Sequence, residues 1–502
     1  MKKLSKLLNT LDDNLVKILL IFFIFLIPLY PKFPFKIVNY TYIAIRLEDV
    51  YVVLFTILFF IQLIRKKIQL NKFFLKPIFI FWLIAFLSYL SGSYVTKTIT
   101  YPHLGFLHAA RRVEYMIVFF IGASVIKSRK DFITLFSSLL LSLFLVNLYG
   151  LGQRFLGLPA VSTMNPEFAR GHLLYLTPEA RLASTFAGHY DLAAYLVFVI
   201  PLIWGTYFTI KNGKVFVLLL AFLSIFILIL TASRISFFAF IISTPFFLIF
   251  LKKYKYAIFI VIITLLMSSF SRDLGKRFLK TVQIRQILFN EKTGQVYVPQ
   301  KITTKELAAG SLVYKLKGQK KETTESAAFR ETLLREATMG EKLLTASEQA
   351  LFTASLSADI KPVSGIVYDI SFATRLQVEW PRAVKAFLKN PFLGTGPSSI
   401  TESTDNDYLR WLGEIGLLGF TAFLLLIFQL VKFIFTSLKK IEKNNQPLFY
   451  AVLFSIFGLL INASYIDVFE ASKVAYVLWY TLGIYVGVLS LPRSNRGLIK
   501  SN

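Results

Sequence analysis

Apolar runs long enough to cross a bilayer recur along this chain, centred on 15–31, 48–64, 73–91, 109–126, 132–151, 190–210, 214–232, 234–251, 255–270, 408–436, 447–466 and 472–491. A spanning helix needs about 20 mostly apolar residues, because in hydrocarbon the segment must satisfy its own backbone hydrogen bonds. The runs predict an all-α polytopic membrane protein with about 12 transmembrane helices. One long polar interval separates the ninth run from the tenth. It predicts a large extracytoplasmic mixed α/β insertion before the last three helices. Three parts are expected: a bundle over 1–270, a loop domain over 271–407, and the closing helices and tail over 408–502.

The composition agrees. Hydrophobic residues make up 55% of the chain and charged ones only 17%, against roughly 25% charged in a soluble domain. The net charge of +28 suits Lys and Arg gathered in short cytoplasmic loops. No basic stretch accompanies a nucleic-acid-binding motif, so no nucleic-acid partner is expected. The absence of cysteine excludes disulfides, thiolate catalysis and Cys-ligated metal. No small-residue cleavage site follows Leu15–Tyr30, which reads as an uncleaved first helix.

Charge placement orients the bundle. Lys2, Lys3 and Lys6 precede the first run. Arg65–Lys67, Lys127–Lys130, Lys211–Lys214, Lys252–Lys255 and Lys439–Lys443 carry the clusters after the second, fourth, sixth, eighth and tenth, and Arg493, Arg496 and Lys500 end the chain. Basic clusters at every even-numbered exit place both termini in the cytoplasm. The loops at about 32–47, 92–108, 152–189, 271–407 and 467–471 then face outward, with all four histidines, His103, His108, His172 and His189, among them. Within the insertion, Gln295–Ile302 and Ser311–Leu316 read as short strands. Glu325–Phe352 and Arg375–Lys389 read as helices, the second ended by Asn390-Pro391.

Charges at a membrane edge are expensive and therefore candidates for function. Four groups lie on the expected outer face: Arg181, leading through His189 and Asp191 into the sixth run; Arg234, in the tight turn Leu230-Thr-Ala-Ser-Arg234; Arg375, Trp380 and Arg382, ahead of Asn390-Pro-Phe-Leu-Gly394-Thr-Gly396; and Asp405-Asn406-Asp407-Tyr408-Leu-Arg410-Trp-Leu-Gly-Glu414, opening the tenth run. Each also has a plain structural reading. Arg181 and Arg382 could be solvated loop charges, Arg234 could snorkel from a helix end, and Asp405 and Asn406 could simply cap a helix. Taken together, several arginines at one face suit a diphosphate, which guanidinium groups bind bidentately. A nearby carboxylate could act as general base. No P-loop, dinucleotide or HExxH pattern is present, which favours a lipid-linked phosphate over a nucleotide.

The stretches Arg181–Leu196, Leu230–Arg234, Arg375–Gly396 and Asp405–Gly419, in that order, resemble the bacterial O-antigen ligase/polymerase family of membrane glycosyltransferases. The helix layout, with a large outer loop before the last three helices, is similar as well. The resemblance covers about 180–435 by motif and most of the chain by topology. It implies a polyprenyl-diphosphate-linked glycan as donor and a lipid A-core or growing glycan as acceptor. It also implies action on the outer face of the bacterial cytoplasmic membrane among membrane lipids, with no cofactor and no metal. Arg181 and Arg234 match family arginines that would hold the donor diphosphate, and Arg375 matches a third; Arg382 and Asn406 are further substrate-binding candidates. Where ligases typically have His-Asn, this chain has Asp405-Asn406, which makes Asp405 the catalytic candidate and leaves ligase and polymerase both open. A lipid-linked glycan flippase or other polytopic transporter is the rival reading, and a non-catalytic scaffold the third. Residues 285–365 match nothing in the family.

Overall fold

The computed structural model describes residues 2–38, 44–161, 171–177, 180–269, 275, 282–290, 296–297, 313–315, 327, 330–332, 360–368, 372, 374–400, 404–439 and 441–492. They fall into two compact units, Met1–Leu274 with Ala383–Asn502, and Gly275–Arg382.

Each apolar run of the sequence forms a helix in the first unit. The first nine are α1 (Lys2–Leu29), α2 (Leu47–Ile64), α3 (Leu75–Leu90), α4 (Pro102–Val125), α5 (Arg129–Phe155), α6 (His189–Thr209), α7 (Lys214–Leu230), α8 (Arg234–Phe250) and α9 (Tyr254–Ser269). After α10 (Trp380–Lys389) come α11 (Asp407–Leu438), α12 (Gln446–Ala463) and α13 (Ser472–Ser490). Among the described residues, seven helices are long and apolar enough to cross a membrane: α2, α3 with its π-helical extension to Val95, α5, α6, α11, α12 and α13. α1 and α4 carry more charge, and α7, α8 and α9 are shorter.

Two helices begin earlier than their apolar runs. α1 reaches back to Lys2, and α4 starts at Pro102, a residue that suits the first helical turn because no N–H is needed there. His103 and His108 therefore lie on α4 and not in an outer loop, and His189 is the first residue of α6. Hydropathy missed the first turns of α4, Pro102–His108, because Pro102, His103, Gly105 and His108 interrupt the apolar run there.

Of the seven long, apolar helices, α13 and α6 are the most enclosed, the most apolar stretch of α13 being wholly buried and that of α6 83% buried. α13 lies along α4, where the Gly483 α-carbon is so close to Phe119 that an added Cβ would come 2.3 Å from its carbonyl oxygen. Small residues at such crossings let helix backbones approach closely within a membrane. By contrast, α3 exposes Phe79, Ile80, Leu83 and Leu87, a face suited to lipid.

One helix is broken. Within α11, Gly416 has φ +63°, which divides the helix into a short first segment and a long second one. The break frees backbone groups on both sides, and the Asn390–Gly396 loop satisfies them. Leu417 and Leu418 N–H donate to the Pro391 and Phe392 carbonyls at 2.8 and 3.1 Å; Thr395 and Gly396 N–H donate to the Gly413 and Glu414 carbonyls at 2.9 and 2.8 Å. Irregular backbone at membrane depth is tolerated where protein supplies the missing partners.

In the first unit β1 (Pro34–Ile37) pairs with β2 (Ala44–Arg46), and β3 (Ala160–Val161) with β4 (Leu173–Leu174); the second unit holds a four-stranded antiparallel sheet in the order β6 (Val296–Tyr297), β5 (Val282–Asn290), β8 (Ile360–Tyr368), β7 (Val313–Lys315). β5 and β8 pair from Val282↔Tyr368 to Asn290↔Ile360. β6 and β7 lie within the two strands read from sequence, whereas β5 and β8 went unread. The helix expected over Glu325–Phe352 lies mostly outside the described residues. The one expected over Arg375–Lys389 is present, its first turn π-helical over Arg375–Glu379.

Candidate functional site

The Asp405–Asn406 turn is held from both sides of the backbone by one carboxylate. Asp467, in the short loop between α12 and α13, accepts the Thr404 N–H on Oδ2 at 3.1 Å and the Asn406 N–H on Oδ1 at 3.0 Å. Asn406 caps α11, its Oδ1 accepting the Leu409 N–H at 3.1 Å, as expected of this residue type at a helix start. Its amide donates to the Ser464 carbonyl at 2.9 Å. The exchange is reciprocal, because buried Asp407 on α11 accepts the N–H groups of Val468 and Phe469 at 2.7 and 3.0 Å. Asp405 is partly exposed and has a φ of +50°.

Behind this turn lies a buried network of charges. Arg112 on α4 reaches Glu414 at 2.8 Å and Glu470 at 3.1 Å. Arg410 reaches Asp467 at 3.0 Å and Glu414 at 3.5 Å. Glu414 also accepts the Ser398 N–H at 3.2 Å, and Trp411 Nε1 donates to Glu470 at 3.2 Å. Burial pushes the Glu470 carboxyl up, but Arg112 and Arg410, with His108, pull it down further, to about 2. Buried charges survive only where they are paired and hydrogen-bonded, and here the pairing joins α4, α11 and the α12–α13 loop.

Arg181 and Arg234 come from different turns that the structure ties together. The Leu182 N–H donates to the Leu230 carbonyl at 3.2 Å, docking the Arg181 segment on the α7–α8 turn. Arg234 is the first residue of α8, and both arginines are half-buried. Arg181 Nη1 contacts His189 Nε2 at 2.5 Å. Since guanidinium only donates, Nε2 accepts, which leaves the imidazole proton on Nδ1.

Lys473, the second residue of α13, connects the two regions. Its ammonium donates to the Pro28, Tyr30 and Thr185 carbonyls at 3.2, 2.7 and 2.7 Å and lies 4.9 Å from the centre of the Phe186 ring. The Thr185 hydroxyl donates to the Pro28 carbonyl at 2.5 Å. Next to it, Lys32 is buried within 3.9 Å of Asp191. Burial and the Arg46 charge lower the Lys32 ammonium to about 8. A continuous path thus runs from the Arg234 turn through Leu182, Thr185 and Lys473 to the Glu470 and Asp467 loop, and on to Asn406 and Asp405.

Arg375 and Arg382 belong to the second unit. Arg375 is buried at the head of its π-helical turn, and Arg382 is exposed. Arg410 and Glu414 stand in the Asp405–Glu414 motif without an assigned role, and Arg112, Asp467 and Glu470 are not among the residues the sequence singles out. A signal was present: Asp467 and Glu470 are two acids in a loop of a few residues between apolar helices.

The fold and site define a polytopic helical membrane protein with a buried ionic network supporting a polar turn at one end of its bundle. Residues 219–424 match the family described as O-antigen ligase. Over those residues the chain is similar to the O-antigen ligase family, the likeness its motifs carry. The match takes in Arg234, Arg375 and Asp405, and Arg181 lies ahead of it. No curated protein matches the chain at a significant level.

Proposed function

We propose that this protein transfers a glycan from a polyprenyl diphosphate to an acceptor hydroxyl, on lipid A-core or on a growing glycan. The family supplies the enzyme class, a lipid-linked glycan substrate and the membrane setting. The observation that supports the finer reading is the path of hydrogen bonds and short intervening chain segments between the Arg181 and Arg234 turns and the Asp405 turn.

In this reading the acceptor oxygen attacks the anomeric carbon, and the bond from that carbon to the diphosphate oxygen breaks. Asp405 takes the hydroxyl proton. Arg181 and Arg234 stabilise the charge that gathers on the departing diphosphate; Arg375, of the second unit, is a further substrate-binding candidate. Asn406 and Arg382 contact substrate. No metal or cofactor is assigned a part. The bundle spans the bacterial cytoplasmic membrane about twelve times, with both termini inside and the insertion outside. Its parts are the bundle at 1–270, the loop domain at 271–407 and the closing helices at 408–502.

A transporter reading draws on one observation, the break in α11 at Gly416, since discontinuous helices mark many substrate pathways. Here the Asn390–Gly396 loop occupies the freed backbone groups, which favours the enzyme. The test is purified protein in liposomes with a polyprenyl-diphosphate-linked oligosaccharide and either acceptor. Product on lipid A-core means ligase, and longer lipid-linked chains mean polymerase. Movement across the bilayer without a new bond overturns the proposal.

A further inference from the structure

We infer that Asp467 is the positioning residue of this site: its carboxylate sets the backbone of the Asp405 turn and thereby aims Asp405 at the acceptor. The inference rests on the reading of Asp405 as the base. Asp405 is not glycine, yet its φ is +50°, in the left-handed region that residues with a side chain seldom enter. Such a conformation persists only where its surroundings over-determine it. The over-determination is visible here. The N–H groups on either side of Asp405, at Thr404 and Asn406, converge on the two oxygens of the Asp467 carboxylate. That fixes the two peptide planes that carry the Thr404 and Asn406 N–H groups, on either side of the Thr404–Asp405 pair.

Asp467 is itself aimed. Arg410 Nη1 donates to the same Oδ2 at 3.0 Å, and Arg410 Nε lies 3.5 Å from Glu414. Reciprocal bonds from Val468 and Phe469 to Asp407, and from Asn406 to the Ser464 carbonyl, pin the loop that carries Asp467 to the helix it serves. A helix cap alone would not need this arrangement, because Asn406 already caps α11. The Asp467 bonds to Thr404 and Asn406 lie outside the helix, on the two residues that flank Asp405. The side chain retains 13% exposure, while its oxygens are committed to the two N–H groups and to Arg410.

The test uses the full-length protein in detergent with a polyprenyl-diphosphate-linked oligosaccharide, lipid A-core and a lipid-linked repeat unit being offered in parallel as acceptors. Asp467→Asn should lower kcat on the order of 100-fold, the scale expected of a displaced reacting group. Donor KM should stay within about twofold of wild type, since the residue is not placed at the diphosphate. The double variant with Asp405→Ala should be no slower than Asp405→Ala alone, because two residues that act as a unit are not additive. Asp467→Asn with wild-type turnover overturns the positioning role, as does a double variant whose loss is the product of the single losses. If Asp467→Asn fails to fold, judged by thermal unfolding and gel filtration, Asp467→Glu must show the same split between kcat and KM. Wild-type turnover by Asp405→Ala instead overturns the base assignment, and the positioning role with it.

Discussion

Arg112 and Glu414, 302 residues apart in sequence, meet at 2.8 Å inside the bundle. This pair ties α4 to the short first segment of α11, whose start is the turn that carries Asp405. Glu414 is fully enclosed, and its backbone carbonyl also accepts the Ser88 hydroxyl at 2.7 Å.

Removing one partner of such a pair leaves an uncompensated buried charge. Arg112→Ala is expected to destabilise the protein by about 3–5 kcal/mol. Arg112→Ala with Glu414→Ala should cost less than the sum of the two, with a coupling of about 1–3 kcal/mol. Thermal unfolding of all four proteins in one detergent measures it, and additive losses would contradict the pairing.

Gly416 sustains the break in α11, and a Cβ there would lie 2.3 Å from the Phe392 carbonyl oxygen. Gly416→Ala is expected to lower the midpoint of thermal unfolding and to abolish transfer, since the Asn390–Gly396 loop could no longer seat. The positive φ alone costs about 1–3 kcal/mol for a residue with a side chain. An unchanged midpoint would show that the helix can straighten.

The arginines of the proposed donor site act on charge. Arg234→Ala and Arg181→Ala should each reduce transfer by about 10²–10³-fold, with insertion into the membrane unaffected. Lysine at either position should restore only part of the rate, because it lacks the planar two-donor fork. Initial rates on membranes matched for protein amount decide this.

Asp405→Asn should remove the base. Asp405→His, which introduces the residue typical of ligases, should retain transfer with the acidic limb of its pH profile near the imidazole range, about pH 6.5. A profile that coincides with wild type would separate Asp405 from the proton transfer.

Glu470 predicts an acid-dependent loss of stability. Its carboxyl is held at about 2, below the ordinary value of 4.5, with Arg112 and Arg410 overcoming the effect of burial. A depressed carboxyl contributes stability that is fully present above the unfolded value and is lost as pH falls toward the folded one. Between about pH 4.5 and 2, wild type should therefore lose stability more steeply than Glu470→Gln. Equal slopes in pH-dependent unfolding would refute this.

The helices were legible because apolar length and charge alternation are properties of local sequence. α4 shows the limit. Its first turns, Pro102–His108, read as loop because Pro, Gly and His interrupt the apolar run, and hydropathy cannot register that Arg112, further along, will meet Glu414 and Glu470. The fine structure of the site was hidden for the same reason. Nothing local in Ile466-Asp467-Val468-Phe469-Glu470 says that its carboxylates will receive N–H groups and guanidinium donors from α4 and α11. Arg181 and Arg234 were visible as isolated charges, but their connection through Leu182 and Leu230 is a backbone contact without a side-chain signature. The nine-residue strands β5 and β8 escaped because Val282–Asn290 does not alternate cleanly, and Ile360–Tyr368 contains Pro362 and Gly365.

The break at Gly416 also sets a depth. At 1.5 Å per residue the whole of α11 would measure about 48 Å, far more than the roughly 30 Å of hydrocarbon in a bilayer. The segment after the break measures about 33 Å and matches that thickness by itself. If that segment spans, the piece from Asp407 to Ile415 sits as a shelf at the boundary between acyl chains and headgroups. A polyprenyl diphosphate could then present its sugar to Asp405 while its tail stayed dissolved in lipid. Catalysis would proceed without lifting the carrier out of the membrane, and the rate would respond to bilayer thickness.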